Sequence, residues 1–424
     1  MKQDKTIKEG DTICIAGGGP GGSSCAIYLL KEAKKIGLDI KVVIFEQKMF
    51  EQHRQYNQCI GVLSPPFENI LYDNLSLKLP DGLKERKITQ YRLHSDNLSC
   101  DLIGEESGAS YAVKRSQFDA FLLEEAKKHG ACVLQNRVTG AEFHDDGVMI
   151  YSDGDNCKCS VMVGAFGLDE GACKIFEEAT PYRQPDHLNT IIARLYPGEE
   201  FLKDIGPTIQ AFLLSFQGLE FGAITPKDDH ISINIAGRKV TYQTMLDFLR
   251  SSPVQRFLPP QKRSARPLNY FRGRFPISPA KNLYGDRYVM IGDAAGLIRP
   301  FKGKGINSAC LTGVFAAKCI LNSGFSKEAF GGEFANDCRE FTNDLPYGKA
   351  MRFLANTGAR IRFMDRVLKV AMEDKTFMAC MFNCVTGHKS YKEIILETAS
   401  IRLGFKFLSE IIDQYVFNRK VNKN

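Results

Sequence analysis

The chain has 424 residues, enough for roughly two to three domains' worth of core, and its 44% hydrophobic and 25% charged residues describe an ordinary globular protein. No run approaches the roughly 20 apolar residues that span a bilayer, and the polar opening MKQDKTIKEGD reads as no signal peptide. The net charge of +7 sits in one place: Leu345 to Asn424 holds 14 Lys and Arg against 7 Asp and Glu, while the preceding 344 residues hold 42 of each. No zinc-finger or RNA-binding signature accompanies it, so nucleic acid is not an expected partner. Thirteen cysteines, scattered singly through apolar segments, suit a reducing cytosol better than a disulfide framework, and the expected location is cytoplasmic.

Thr12 to Leu30 reads TICIAGGGPGGSSCAIYLL. A short apolar strand breaks into glycines, and an apolar helical pattern follows. Gly17, Gly19 and Gly22 stand at the spacing G-x-G-x-x-G between strand and helix. Gly17 permits the tight turn, Gly19 lets the backbone approach a pyrophosphate, and Gly22 lets the helix lie close on the strand. The phosphates would face free N–H groups at the positive helix end. A second strand, Ile40 to Phe45, ends in Glu46, whose carboxylate is placed for a ribose diol.

The polar stretch after Glu46 reads as a functional loop, and Leu71 to Leu102 fits no single element. Ser116 opens a helix closed by Gly130, and Val138 to Phe143, Gly147 to Tyr151 and Cys157 to Val163 read as a small antiparallel meander. Between Pro181 and Pro279, β-rich runs parted by Gly, Pro and charged turns predict a second, mostly antiparallel sheet inserted into the first domain. Arg287 to Ile291 returns as a strand, ending in Gly292-Asp293-Ala294-Ala295-Gly296, and Gly305 to Leu321 is a long small-residue helix. Asp293 offers a carboxylate to a flexible polyol, and Gly303, Gly305 and Ile306 begin a helix whose amides could face an anionic ring edge.

From Tyr347 onward the pattern is helical. Leu354, Ile361, Met364 and Leu368 collect on one side of a helix between basic residues, and Ile401, Phe405, Leu408 and Ile412 make a second stripe. Packing on the substrate sheet is the ordinary reading of both. Peripheral attraction to an anionic membrane surface through 346–424 is the sharper one. Cys380, Cys384 and His388 fall at i, i+4 and i+8, but Gly387 ends that helix and no metal site is assigned.

GGGPGG with Glu46, Arg115 within VKRSQFDAFLLEEA, GDAAGLIRPFKGKGIN and the β-rich region between them resemble the flavoprotein superfamily of p-hydroxybenzoate hydroxylase, flavin halogenases and geranylgeranyl reductases. The resemblance implies an α/β fold with an α+β insert: a discontinuous Rossmann-like FAD-binding domain at 1–180 and 280–345, an antiparallel-sheet substrate domain at 181–279, and a C-terminal helical region at 346–424. It implies that FAD is held by Gly17, Gly19, Pro20, Gly22, Glu46, Gln47, Arg54, Arg115, Val138, Gly292, Asp293, Pro300, Gly303, Gly305 and Ile306. Glu46 would hold the adenosine ribose, Asp293 the ribityl chain, and Arg115 would lie near the flavin or its phosphates. Phe166 stands where the family often has an acid.

Geranylgeranyl reductases look nearest within the superfamily. Cys59-Ile60-Gly61 matches their cysteine after the first helix–strand unit, which makes Cys59 the candidate catalytic proton donor or gate. Phe221-Gly222-Ala223-Ile224-Thr225-Pro226-Lys227 stands where they carry an aromatic-x-Trp-x-Phe-Pro-Lys strand, so Phe221, Ala223, Thr225 and Pro226 would line the substrate pocket, with Ala223 replacing the tryptophan. The chain has no Trp, which removes the W-x-W-x-I-P signature of halogenases. The implied activity is saturation of C=C bonds in an isoprenoid or other hydrophobic lipid. A flavin hydroxylase of an aromatic or hydrophobic molecule and a non-catalytic flavin- or prenyl-binding protein stay open as alternatives. With a single G-x-G-x-x-G, the electron donor, NAD(P)H or a small redox partner protein, would visit transiently.

Overall fold

The computed structural model describes residues 5–48, 59–104, 110–260, 270–298, 305–387 and 389–399. Two compact units result, each assembled from three separated stretches of chain.

The first unit comprises Met1–Glu85, Val113–Leu188 and Arg274–Leu345. Its centre is a six-stranded sheet in the order Tyr284–Gly285, Tyr288–Met290, Val161–Gly164, Thr12–Ala16, Lys41–Phe45, Cys132–Leu134. Every pairing is parallel except that of the first two strands. Such strands are covered on both faces and read as unbroken apolar runs, as TICIA and VMVG do. Helices Pro20–Lys35, Arg115–Lys128 and Gly305–Asn322 belong to the same unit. The meander is shorter than the sequence suggested. Val138–His144, Gly147–Ser152 and Cys157–Cys159 pair antiparallel, but Val161–Gly164 leaves it to join the parallel sheet. Ser160 is the break: its N–H donates to Thr12 O, starting the new pairing.

The second unit comprises Arg86–Ala112, Asn189–Gly273 and Pro346–Asn424. It is built on a seven-stranded sheet in the order Tyr270–Pro276, His187–Leu195, Ile231–Gly237, Phe221–Pro226, Thr208–Phe212, Gln90–His94, Ser99–Leu102. One face carries Ile191, Ala193, Phe212, Ile224, Ile233 and Ile235, packed with Met245, Phe248 and Leu249 of helix Tyr242–Arg250. The stretch 86–112 therefore sits with the seven-stranded sheet, outside the 181–279 boundaries expected from sequence. Gln90–His94 pairs parallel with Thr208–Phe212, and no local pattern announces a partner more than 100 residues away.

The C-terminal helices also join this unit rather than standing as a third region. Arg352, on helix Arg339–Arg360, makes a bidentate pair with Glu220, Nε to Oε2 and Nη2 to Oε1 both 2.7 Å, and Asn356 donates to the same carboxylate. Asp365 accepts from Ser95 and Asn97, and the Phe382 ring meets Tyr91 edge-on. The stripe Leu354, Ile361, Met364, Leu368 is not one helical face. The helix stops at Arg360 and another starts at Met364, so Met364 and Leu368 are buried while Leu354 and Ile361 are 65% and 67% exposed. The second stripe, Ile401 to Ile412, lies outside the described residues, as does His388. Gly387, at φ +69°, does end helix Lys375–Thr386. Among the described residues no helix is long and apolar enough to cross a membrane.

Candidate dinucleotide and flavin site

The glycine loop assigns a different task to each glycine. Gly17 sits at φ +108°, and a Cβ there would lie 2.5 Å from the Ala165 carbonyl oxygen. A Cβ at Gly22 would collide with the Gly17 carbonyl. Around Gly19 the space is open, with nothing within 4 Å of a Cβ built there. Gly17 and Gly22 thus let the loop close on itself, while Gly19 leaves room outside it. Pro20 stands in the first turn of helix Pro20–Lys35, where its missing N–H costs nothing. No side chain caps this end and no acid lies in its first turn, so its amides and positive dipole suit an anion.

Glu46 follows the strand Lys41–Phe45 and is buried. Its Oε2 accepts from the Gly18 N–H and its Oε1 from the Lys48 N–H, both at 2.9 Å. Burial pushes its carboxyl above the usual carboxylate range, and the two amides oppose that shift. A carboxylate has about four lone-pair sites, so two N–H donors leave acceptor capacity for a diol. Gln47 lies exposed beside it.

The opposite flank comes from residues nearly 300 positions later. Gly292–Ala294 is a single 3-10 turn, with Gly292 at φ +59° and its N–H donating to Thr312 Oγ1 at 2.9 Å. Asp293 is half-buried, and its Oδ1 lies 3.5 Å from a Cβ built at Gly305, the first residue of helix Gly305–Asn322. Among the described residues no hydrogen bond engages its carboxylate. Burial raises its pKa and Arg115 partly offsets that. Ile306, one residue on, is buried.

Arg115 opens helix Arg115–Lys128, and its Nε donates to Asp119 Oδ1 at 2.7 Å. Burial disfavours its charge, but Asp119, Cys59 and Asp293 together hold its pKa above the ordinary arginine value. Cys59 is exposed, and the neighbouring Gly61 approaches Arg115, whose Cβ is 3.5 Å from a Cβ built there. The structure thus brings Cys59, Arg115, Asp293 and Gly305 into one neighbourhood. The two helices that carry the flanks touch through backbone, because a side chain at Gly313 would collide with the Gly21 carbonyl.

Val138 is buried at the start of its meander strand. Arg54, Pro300 and Gly303 lie outside the described residues. Sequence reasoning missed Asp119 and Thr312. The i, i+4 spacing of Arg115 and Asp119 on one helix could have found the first; nothing local signals the second. Phe166 stacks on Phe176, with centroids 4.9 Å apart, so no acid is available there. In the second unit, strand alternation puts Phe221, Ala223 and Thr225 on the face opposite the helix-packed core, with Ala223 paired to Asn234 and Ala211. Pro226 is corrected: by the same alternation it shares the core side with Ile224 and cannot line a wall with Ala223.

An open anion-ready loop, an acid with spare acceptor capacity at each flank and a largely buried arginine fit a dinucleotide carrying a ribose and a second polyol. Together with the parallel sheet and the second, mostly antiparallel sheet, these features fit the mixed α/β fold of FAD-dependent oxidoreductases. No family model matches it. It is 24% identical over 355 residues, 78% of its own length and 83% of the relative's, to digeranylgeranylglycerophospholipid reductase 1 of Methanothermobacter thermautotrophicus. It is 22% identical over 338 residues, 73% of its length and 65% of the relative's, to the chloroplastic geranylgeranyl diphosphate reductase of Arabidopsis thaliana. Among solved structures, a geranylgeranyl bacteriochlorophyll reductase-like protein from Thermoplasma acidophilum superposes with a TM-score of 0.70 at 18% identity, covering 92% of this chain and 99% of that one. An FAD complex of the halogenase PltM has the same fold, with a TM-score of 0.63 at 12% identity, covering 93% and 86%. The chain is thus similar in sequence to geranylgeranyl reductases and in fold to flavoproteins, in line with the resemblance of its motifs.

Proposed function

We propose that the protein saturates C=C bonds of an isoprenoid or similarly hydrophobic lipid. The observation that carries this is the convergence of Cys59, Arg115 and Asp293 in one neighbourhood, in a chain whose relatives bear the names of isoprenoid-lipid reductases. Bound FAD, once reduced, supplies the hydride for such a saturation. Glu46 would hold the ribose, Asp293 the second polyol, and Pro20 with Gly19 the phosphates. Arg115 sets a positive field around Cys59, and Cys59 is the residue proposed to deliver the proton at the second carbon. NAD(P)H or a small redox protein would bring the electrons.

On the second unit, Ala223 and Thr225 would form part of the substrate wall. The same unit offers a route to a membrane-held substrate. Phe353, Leu354 and Ile361 are each 65–68% exposed, Lys349, Arg360 and Arg362 are exposed around them, and no acid occurs from Leu345 to Met364. Each basic residue near an anionic bilayer contributes about 1 kcal/mol, so this patch would hold a cytoplasmic protein there reversibly.

Purified protein is expected to be yellow, to release FAD on acid treatment, and to reduce geranylgeranyl lipids in anionic vesicles when given dithionite or NAD(P)H. Cys59→Ala should keep the flavin and lose turnover, and Ala223→Trp should keep it and change substrate choice. A colourless protein that takes up no FAD would overturn the reading. Sedimentation with anionic vesicles at low salt, lost at high salt and in Phe353→Glu/Ile361→Glu, tests the membrane patch; equal failure to bind at both salts rejects it.

A further inference from the structure

Away from the flavin site, three thiols meet in the first unit. Cys14 is the middle residue of strand Thr12–Ala16, and Cys157 and Cys159 are the ends of strand Cys157–Cys159. A period of two puts Cys157 and Cys159 on one face of that strand. Cys14 Sγ lies 3.5 Å from Cys157 Sγ and donates its S–H to it. Cys14 and Cys159 are buried, whereas Cys157 is half-exposed. Among the described residues no group of three or more His, Cys, Asp or Glu is placed to hold a metal ion, so the trio is not read as a metal site.

The arrangement sorts the two thiols by role. The hydrogen bond from Cys14 favours the thiolate of Cys157 and brings its pKa down to about 7, against the opposing effect of burial. Cys14 is the reverse: its bond to Cys157 and its burial hold the proton on its own sulfur. One sulfur is thus accessible and ionised near neutrality, and a second, protonated sulfur waits behind it.

We propose that Cys157 is a thiol–disulfide exchange site for low-molecular-weight disulfides of the glutathione type, with Cys14 as its resolving thiol. The Cys157 thiolate attacks one sulfur of the disulfide. A Cys157–glutathione bond forms, the original S–S bond breaks, and one glutathione leaves as a thiolate. With Cys157 no longer an anion, the largest cause holding the Cys14 proton is gone. Cys14 gives that proton to the leaving thiolate or to water and attacks Cys157 Sγ, and the second glutathione departs. Two protein thiols are oxidised to one disulfide while glutathione disulfide is reduced to two glutathiones. The bond would tie the meander to the strand that enters the glycine loop, three residues ahead of Gly17.

The test is peptide mapping by mass spectrometry of the reduced, full-length protein after incubation with glutathione disulfide and acid quenching. The wild type is expected to yield a linked Cys14–Cys157 peptide. Cys14→Ala should lose that link and accumulate glutathione on Cys157 instead. Cys157→Ala, a change at a half-exposed position, should leave Cys14 reduced and unmodified. Cys132, which is exposed, reports ordinary surface thiolation in every sample. The proposal is overturned if the wild type gives no linked peptide while Cys132 is modified. It is equally overturned if Cys14→Ala links Cys157 to Cys159, or if Cys14 becomes glutathionylated in Cys157→Ala.

Discussion

The two units use their polar groups in opposite ways. In the first, the carboxylate of Asp293 has no hydrogen-bond partner among the described residues, that of Glu46 accepts two backbone N–H bonds, and the space outside Gly19 is open. In the second, Glu220 accepts three charge- or amide-donated bonds from Arg352 and Asn356, and His94 is shared between Ser99 and Gln210. These first-unit carboxylates keep acceptor capacity, while in the second unit Glu220 spends its own on a helix and His94 bridges neighbouring strands. Among the described residues there, Asn234 departs from this, its buried Oδ1 having no partner. Polar groups left with spare capacity mark a ligand site, and fully paired ones mark a scaffold.

The contrast can be broken first inside the glycine loop. Gly22→Ala places a methyl against a backbone carbonyl that cannot step aside, and its cost is expected to reach the roughly 5 kcal/mol that marks exceptional substitutions. Gly19→Ala should leave urea unfolding of the apoprotein nearly unchanged and weaken FAD binding alone. Equal effects of the two would erase the distinction between closing the loop and receiving a ligand.

Next comes the scaffold pair. Arg352→Ala strands the Glu220 carboxylate in a buried position and should lower stability by about 3–5 kcal/mol. Adding Glu220→Gln should recover part of that loss, which a purely steric role for Arg352 would not allow.

His94 sharpens the comparison through pH. Burial lowers its pKa from 6.5 to about 4. Below pH 6.5 the unfolded chain takes up a proton that the fold refuses, so stability is complete above 6.5 and is lost as pH falls toward 4. The loss is on the order of 3 kcal/mol, and His94→Gln should flatten that part of the urea-midpoint profile.

The smallest effects are expected at Glu46 and Asp293. Glu46→Ala and Asp293→Asn should each weaken FAD retention by about 1.5–3 kcal/mol, read by flavin fluorescence on dilution, with unfolding of the apoprotein little altered.

The nucleotide half was legible because its chemistry is local: Gly17 to Gly22 and Glu46 sit on one strand–helix–strand unit, and each residue's task follows from its neighbours in sequence. Asp293 and Gly305 were legible as a second such cluster. What escaped was long-range. The pairing of Gln90–His94 with Thr208–Phe212, the clasp of Arg352 on Glu220, and Thr312 behind Gly292 have no local signature. Pro226 was misplaced because a motif was read as a block, although a strand shows alternate residues to opposite faces. The helical stripe through Leu354 and Leu368 failed for a related reason, since periodicity assumes one axis and the chain changes axis between Arg360 and Met364.

The backbone contact of Gly21 with Gly313 also bears on when the first unit is complete during synthesis. On a growing chain the glycine loop emerges early, but the helix that completes its surroundings starts at Gly305. At roughly 5–20 residues per second, tens of seconds separate the two. Until then the loop has no wall and the flavin no berth. Ribosome-bound chains stalled before Gly305 should capture no FAD, and chains stalled once Asn322 has cleared the exit tunnel should capture it. Cofactor loading is therefore expected late in synthesis, after the helix that carries Gly313 has emerged.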